Sequence, residues 1–403
     1  MAKEEKKAPK LRFNGYTNDW EQVKLEKIAT FSKGKGYSKL DLKRKGYPIF
    51  LYGQMYTNYR YKIVETSTYA ILKEDAVVSN GNEIVIPSSG ETSVDIARAS
   101  WIAQKGIIIG SDLNIIRPTS SVHPLFLALS LSNNQVKYNL AKVAQGNSIV
   151  HLYNNNLKKV NIYFPNIVEQ NRIGNILNSI SNCINLHERK CEELALIKKA
   201  LLQKLFPKKD EFKPEVRYKN FSDAWEQRKL GEILKERKER SSIGELISVT
   251  INNGVVKADS LERKDNSSSD KSNYKVVCKG DIAYNSMRMW QGASGYSPYN
   301  GILSPAYTVL IPTEKVDSKF ISYMFKKEKM LQQFQKYSQG LTPDTWNLKY
   351  PMLKDIPVLF PKIDEQVSIR KHLDNISSLI ALHQRKLEKL KQLKKFLLQN
   401  MFI

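Results

Sequence analysis

The chain has 403 residues, of which 41% are hydrophobic, so it is long enough to form at least two domains with separate cores. Its 64 Lys and Arg residues outnumber its 40 Asp and Glu residues and leave a formal charge of +24. This charge favours a polyanion such as nucleic acid as the partner, and the absence of an apolar run of about 18 residues argues against a membrane protein.

The N-terminal stretch MAKEEKKAPKLR is polar and basic, and it contains no apolar segment typical of a secretion signal. We therefore expect a flexible N-terminus over residues 1–14 and a cytoplasmic protein. Cys183, Cys191 and Cys278 show no spacing typical of a metal site or a redox pair, which indicates free thiols in a reducing compartment.

The first half of the chain predicts an α+β module. Short runs rich in β-branched residues predict strands at residues 76–78, 106–109 and 113–116, separated by Gly, Asn and Ser turns. A helix is predicted over residues 124–142, followed by a last strand that ends at Phe164.

A long helix is predicted directly after this module, over residues 165–206. Its apolar residues recur at steps of three and four from Ile173 to Ile184 and onward to Leu205, which is typical of a coiled-coil seam. Pro165 stands at the start of the helix, where proline is tolerated. A charged linker over residues 207–219 follows.

The second half repeats this order. Strands are predicted at residues 274–277, 281–284 and 306–311, and a helix over residues 317–337. A last strand ends at Phe360, and a second seam of Ile and Leu predicts a second long helix over residues 361–403.

The two halves are copies of one unit. FPNIVEQNRIGNIL at Phe164 and FPKIDEQVSIRKHL at Phe360 lie 196 positions apart without a gap, and Trp-Glu-Gln occurs at Trp20 and again at Trp225, 205 positions apart. The segments between these frames differ in sequence and in length. This combination predicts two modules that do one kind of work on two different targets.

Neither long helix can bury its apolar seam alone, so we expect the two to pair. The connectivity favours an antiparallel coiled coil with a module at each end and an internal pseudo-two-fold axis. At about 1.5 Å per residue each helix would be about 55 Å long, a distance that roughly 16 base pairs of DNA would span.

Common catalytic motifs are missing from the sequence. We find no phosphate-binding GxxxxGK[ST] loop, no HExxH or paired zinc spacing and no GxSxG elbow. The sequence therefore offers little that points to an enzyme, or to a metal or a cofactor held by this chain.

Loops that mix basic, aromatic and amide side chains are the features that point to nucleic acid. In the first module they lie around Lys35 and Arg60, and in the second around Arg288. Arginine can bond guanine and glutamine can bond adenine in the major groove.

The doubled frames, the doubled Trp-Glu-Gln openings and the stretches MRMWQGASG and GILSPAYTVLIP together resemble the specificity subunit of type I restriction-modification systems. The resemblance implies two target recognition domains in tandem, at residues 15–164 and 220–360. Each would read one half of an asymmetric bipartite DNA sequence, and the long helices would set the spacer.

The same resemblance implies the partners. These are double-stranded DNA, two modification subunits that methylate adenine with S-adenosylmethionine, and restriction subunits that use ATP and Mg. The helices would dock the modification subunits.

The expected DNA contacts rest partly on the resemblance and partly on loop placement. In the second domain they are Arg288, Trp290, Gln291, Gln339 and Thr342. In the first domain, where the MRMW stretch has no counterpart, they rest on loop placement alone and are Lys35, Tyr37, Arg60, Asn147, Ser148 and His151.

Two other functions stay open at this point. One is a coiled-coil scaffold with nonspecific nucleic-acid binding, and the other is a solitary DNA-modifying enzyme. Binding that ignores DNA sequence would favour the first, and turnover by the isolated chain would favour the second.

Overall fold

The structure is a computed structural model that describes residues 7–146, 149–208, 211–262 and 267–403. The chain folds into two units. Unit 1 comprises the chain up to Glu188 and from Arg385 to the end, and unit 2 comprises Arg189–Gln384. The two long helices, Ile167–Lys204 and Ile363–Asn400, each have 38 residues, and each contributes one half to unit 1 and the other half to unit 2.

Unit 1 contains two five-stranded sheets and two strand pairs. The first sheet has the order Ala29–Lys33, Leu113–Pro118, Glu83–Pro87, Ser100–Ile102 and Lys62–Ile63. The second has the order Leu42–Lys43, Tyr69–Ala70, Tyr47–Phe50, Lys105–Ile109 and Val78–Asn80. The pairs are Glu21–Lys24 with Asn161–Phe164 and Ser89–Gly90 with Val150–His151.

The strand Glu83–Pro87 lies at the centre of the first sheet and is buried at every position. Its sequence EIVIP is therefore apolar on both faces except at Glu83, whose carboxylate accepts from Arg117 at 3.1 Å. The shorter α-helices of unit 1 are Gln54–Thr57, Ser93–Ile96, Pro124–Leu131, Asn134–Val143 and Asn154–Leu157, and its 3-10 turns are Leu25–Lys27 and Lys39–Asp41.

Unit 2 has a four-stranded sheet, and its two inner strands are arranged like the strands at the centre of the first sheet of unit 1. Its four strands have the order Leu234–Glu236, Tyr307–Pro312, Ile282–Asn285 and Ser294–Tyr296. Three strand pairs complete it: Glu226–Lys229 with Pro357–Phe360, Ile247–Thr250 with Gly254–Lys257, and Lys275–Val277 with Gly301–Leu303. The helices are Leu230–Ile233, Ser318–Phe325, Glu328–Tyr337 and Tyr350–Leu353, with 3-10 turns Ala258–Ser260 and Met289–Gln291.

The helix predicted in the middle of each module is two helices. In unit 1 the break precedes Asn134, which has a φ of 50° in the left-handed region and whose amide donates to the Phe402 carbonyl at 3.0 Å. In unit 2 the break falls at Lys326 and Lys327, and the Lys327 amino group donates to the Leu202 carbonyl. Each break thus lies where the domain contacts the end of a long helix.

The two segments of long helix within unit 1 run antiparallel. Glu188 forms an ion pair of 2.7 Å with Lys391 at one end. At the other end the Leu11 amide donates to Asn400 at 2.8 Å, and the adjacent Arg12 binds Glu169. The seam residues Ile173 and Leu177 lie in one buried cluster with Leu397, which confirms the predicted pairing.

The corresponding segments in unit 2 pack in the same way. Leu201 of the first long helix, and Leu205 directly after its end, share an apolar cluster with Ile369 and Leu373 of the second. Among the residues that the structure describes, no helix has the length and apolar character that a membrane span requires.

The glutamate of each repeated long-helix segment is buried and holds the chain segment that precedes the α+β module. Glu169 accepts two hydrogen bonds from Arg12, at 2.6 and 2.8 Å, and Glu365 accepts two from Arg217, at 2.8 and 2.7 Å. Such bidentate pairs are among the stronger polar contacts in proteins. Residues 7–14, expected to belong to a flexible N-terminus, are therefore tied to unit 1 through Arg12.

The glutamine of each frame is also buried, and it binds three main-chain groups. Gln170 accepts from the His123 amide and donates to the carbonyls of Ser121 and Pro165, at 2.8 to 3.0 Å. Gln366 accepts from the Asp317 amide and donates to the carbonyls of Lys315 and Pro361, over the same range of distances.

The residues that follow each long helix pack into the core of a unit, and the contacts are equivalent in the two units. In unit 2, Val216 donates to Lys204 at 3.0 Å, and the ring of Phe206 stacks on Phe320 with centroids 5.4 Å apart. In unit 1 the C-terminus takes this place, because Phe402 stacks on Phe126 at 5.5 Å. Met401 and Phe402 thus belong to the core of unit 1.

Candidate nucleic-acid interface

Two loops of unit 2 meet at one surface. The loop that follows strand Ile282–Asn285 receives a hydrogen bond of 2.8 Å from the Leu348 amide to the Ser286 carbonyl. The second loop begins and ends at Gln339 and Asn347, whose main chains exchange bonds of 3.1 and 2.8 Å. The structure thus brings the MRMWQG stretch beside the loop that starts at Gln339.

An edge-to-face contact between Trp290 and Trp346 joins the two loops, with ring centroids 5.1 Å apart. The Trp290 indole also donates to the Met287 carbonyl at 3.2 Å. These contacts fix the ring of Trp290 while leaving it half-buried. Trp290 is therefore both a support for the loop and part of its surface.

Arg288 is exposed on this surface and its guanidinium donates to the Gln291 amide oxygen at 3.1 Å. Because a guanidinium carries five donors, most of the donor capacity of Arg288 is left for a ligand. Gln339 and Thr342 are exposed on the neighbouring loop, where the Thr342 carbonyl accepts from the Thr345 hydroxyl at 3.0 Å. The five contacts expected in this domain therefore lie on two adjoining loops.

The side chain of Lys326 supports the loop that contains the MRMWQG stretch. Its amino group donates to the Ile251 carbonyl at 2.9 Å and also to the Gly292 carbonyl. Gly292 has a φ of 86°, a conformation that favours glycine. Burial lowers the pKa of Lys326 to about 8, so the ammonium is held with little solvent around it.

Unit 1 has the same arrangement with a different sequence. The Leu152 amide donates to the Ser88 carbonyl at 3.0 Å, and Gln145 and His151 exchange main-chain bonds of 2.9 and 2.7 Å. Ser88 thus occupies the place of Ser286. Residues 88–92, which we call the Ser88 loop, follow the central strand of their sheet as the MRMWQG stretch follows its own.

The Ser88 loop was not among the sequence-predicted sites, because it contains no basic and no aromatic residue. Its place directly after the apolar strand that ends at Pro87 was the one available signal. That signal requires alignment of Glu83–Pro87 with Ile282–Asn285, two strands that share little sequence.

His151 is the sequence-predicted residue that lies beside the Ser88 loop. Its strand partner is Ser89, its side chain is exposed, and its ring stacks on Tyr153 with centroids 6.1 Å apart. The amino group of Lys33 lies 5.6 Å from the centre of the Tyr153 ring. His151, Tyr153 and Lys33 therefore form a polar, basic border next to the loop.

Tyr37 is buried and packs with Ile49, Ala70 and Ile108 of the second five-stranded sheet of unit 1. Its hydroxyl donates to the Ile71 carbonyl at 2.9 Å and accepts from the Lys73 amide at 2.7 Å, so the side chain is not available to a ligand. We correct the expectation that Tyr37 contacts DNA, since its role is packing.

The other predicted residues of the first domain are dispersed. Lys35 is exposed, and Arg60 is exposed in a cleft that Gln54 and Glu65 also line. Asn147 and Ser148 lie outside the described residues.

Side chains that could bind a metal ion are not clustered in the parts of the chain that the structure describes. Within these ranges, no three His, Cys, Asp or Glu side chains are arranged to hold a metal ion. The cysteines Cys183, Cys191 and Cys278 are free thiols.

Comparison with known proteins gives matches over most of the chain. Residues 17–196 and 222–392 each match the family described as "Type I restriction modification DNA specificity domain". The chain is 23% identical over 402 residues to the type I restriction enzyme MjaVIII specificity subunit of Methanocaldococcus jannaschii, covering 94% of this chain and 90% of that protein. The crystal structure of a type I restriction-modification S subunit from M. genitalium has a similar fold, with a TM-score of 0.63 at 17% identity, covering 98% of this chain and 99% of that one.

Proposed function

Because this chain belongs to the type I restriction-modification DNA specificity family, we propose that its two recognition domains each read one half of an asymmetric, bipartite DNA sequence. One observation carries the proposal. In each unit one loop follows an inner strand of the sheet and a second loop follows a helix, and the two loops are joined by equivalent main-chain bonds to the carbonyls of Ser88 and Ser286. The loops differ in sequence while their supports agree, as expected of two readers with two different targets.

In the second domain the proposed reader is Arg288. An arginine can donate two hydrogen bonds to O6 and N7 of guanine in the major groove, and a glutamine can bond adenine. Gln291 is within hydrogen-bond distance of Arg288, so the two side chains would address neighbouring bases. Trp290 orders the loop, and Gln339 and Thr342 would contact DNA from the second loop.

The positive charge supplies a second, sequence-independent contribution. With a net charge of +24, lysines and arginines near the loops would bind phosphates and give an affinity that falls steeply with salt. We propose that Lys35 and Arg60 bind phosphates in this way in the first domain, and that His151 contacts DNA beside the Ser88 loop.

The long helices are proposed to set the number of base pairs between the two half-sites and to dock the modification subunits. A second row of apolar residues, outside the buried seam, is exposed on each helix. Leu186 and Ile197 on the first helix correspond to Leu382 and Leu393 on the second, and all four are 41–51% exposed. A row at such spacing suits a partner helix.

The chain itself is proposed to be noncatalytic. The modification subunits would supply S-adenosylmethionine and methylate adenine, and the restriction subunits would supply ATP and Mg. The working form would therefore be a complex in the cytoplasm that takes its DNA specificity from this chain.

The test is a map of methylated adenines in cells that carry this chain together with its modification subunits. We expect one bipartite motif with two unlike halves. An Arg288→Ala chain should lose selectivity at one base pair of one half, while Arg228→Ala, which removes an exposed arginine paired with Glu226 in the same unit, should leave the motif unchanged. Methylation without a motif, or methylation by the chain alone, would contradict the proposal.

A further inference from the structure

We propose that Glu91, in the Ser88 loop, is a specificity-determining residue of the first recognition domain. It would accept a hydrogen bond from an exocyclic amino group in the major groove, which is presented by cytosine at N4 or adenine at N6. The inference rests on the proposed function and names the chemistry by which unit 1 reads its half-site.

The position of the loop is the first support. The Ser88 loop receives the Leu152 hydrogen bond as the MRMWQG stretch receives that of Leu348, and each loop leads into a short helical turn, at Ser93–Ile96 and Met289–Gln291. Unit 1 therefore presents this loop where unit 2 presents Arg288. Glu91 is its charged residue, and it is exposed.

The rigidity of the loop before Glu91 is the second support. The Ser88 amide donates to the Asp112 carbonyl at 2.8 Å, and the Tyr56 hydroxyl donates to the Ser89 carbonyl at 2.9 Å. Burial raises the pKa of Tyr56, so this hydroxyl keeps its proton. A Cβ at Gly90 would come within 2.7 Å of the same hydroxyl, so the loop lies against Tyr56 without space for a side chain.

The backbone after Glu91 is fixed as well. Thr92 caps the helix Ser93–Ile96 by accepting from the Asp95 amide at 3.1 Å. Arg98 forms a 2.9 Å ion pair with Asp95 and lies 4.8 Å from the centre of the Tyr56 ring. The carboxylate of Glu91 is thus presented from a backbone that is held on both sides, which lowers the entropic cost of a directed contact.

The surrounding charge indicates which part of DNA this carboxylate would face. The border formed by His151, Tyr153 and Lys33 lies beside the loop, and the ammonium of Lys33 would draw phosphates to the edge of the surface. A carboxylate next to phosphates is repelled unless it accepts a hydrogen bond, and base amino groups are the major-groove donors that DNA offers. Glu91 would therefore be directed at a base edge.

The experiment measures DNA binding by the complex of the full chain with its modification subunits, once the methylation map has defined the half-sites. The duplexes replace each base pair of the first half-site in turn. Glu91→Ala should reduce discrimination at one position by roughly 5- to 150-fold, without an effect at the second half-site. Glu74→Gln, which neutralises another exposed carboxylate of unit 1, should behave as the wild type.

Modified bases separate the two possible sources of the amino group. At the sensitive position, N4-methylcytosine or N6-methyladenine removes the N–H that faces the groove, so only the base that Glu91 reads should lose affinity when methylated. Glu91→Gln should shift the preference at that position toward adenine, because glutamine can both donate to and accept from adenine. Thermal unfolding of the variants should match the wild type.

Three outcomes would overturn the inference. They are unchanged discrimination at every position in Glu91→Ala, an equal gain in affinity for all sequences, and an effect confined to the second half-site. A wild-type complex that binds no bipartite sequence would instead defeat the proposed function. The two failures are therefore distinguishable.

Discussion

Replacement of Phe402 by alanine should destabilise the first recognition domain, although the residue is the second from the end of the chain. Its ring is 5% exposed and stacks on Phe126 with an angle of 28° between the planes. Phe206 is its counterpart in unit 2, at 3% exposure and stacked on Phe320. The variants Phe402→Ala and Phe206→Ala therefore allow the same substitution to be compared in the two units.

Truncation of a buried phenylalanine to alanine typically costs about 3–5 kcal/mol. We expect the lower end, about 3 kcal/mol, for Phe402→Ala. A loss of this size raises the population of locally opened molecules by about two orders of magnitude. Phe206→Ala should cost at least as much, since Phe206 is held within the chain and also meets Trp225 at 5.9 Å.

Native-state hydrogen exchange followed by mass spectrometry reports the two units separately. Phe402→Ala should reduce protection in Pro124–Leu131 and Asn134–Val143 and leave Ser318–Phe325 and Glu328–Tyr337 unchanged, and Phe206→Ala should do the reverse. Equal loss in both sets of helices, or no loss in either, would refute the assignment of the C-terminus to the core of unit 1.

Other expectations follow from the frame and from Lys326. Arg12→Ala leaves the carboxylate of Glu169, which is fully buried, without its partner and should cost about 3–5 kcal/mol; the added change Glu169→Gln should restore part of this in urea unfolding, and full additivity of the two losses would count against the pair. Burial lowers the pKa of Lys326 to about 8 from 10.5, so above pH 8 the unfolded chain holds a proton that the folded chain has lost. The stability of unit 2 should therefore rise between about pH 8 and 10.5, and the rise should disappear in Lys326→Met; the same slope in both proteins would show that other groups cause it.

The long helices and their pairing could be predicted from the sequence, because the repeat shows each sequence feature twice. The spacing of Ile173 and Leu177, and of their counterparts, predicted both long helices and their pairing. The roles of Glu169 and Gln170 could not be predicted, since their partners come from distant parts of the chain and a charged residue in a helix is usually exposed. The break at Asn134 was missed for a similar reason, because the group that stabilises it belongs to Phe402.

The residue types in a loop predicted the candidate site only in part. The cluster around Arg288 was found because basic, amide and aromatic residues coincide there. In the first domain the same criterion selected Tyr37, which is buried, since the composition of a loop does not report which side chains face inward. The Ser88 loop lacks such residues, and its equivalence appears only in the main-chain bond at the Ser88 carbonyl.

The glutamine near the start of each long helix binds the adjoining domain through contacts that do not depend on which side chains that domain carries. The hydrogen bonds described for Gln170 and Gln366 go to main-chain amides and carbonyls, which every amino acid except proline offers. A foreign recognition domain joined to this chain at the frame would thus be gripped without any adjustment of the helix. We therefore expect that a whole recognition domain can be exchanged at the frame without redesign of the long helix that supports it.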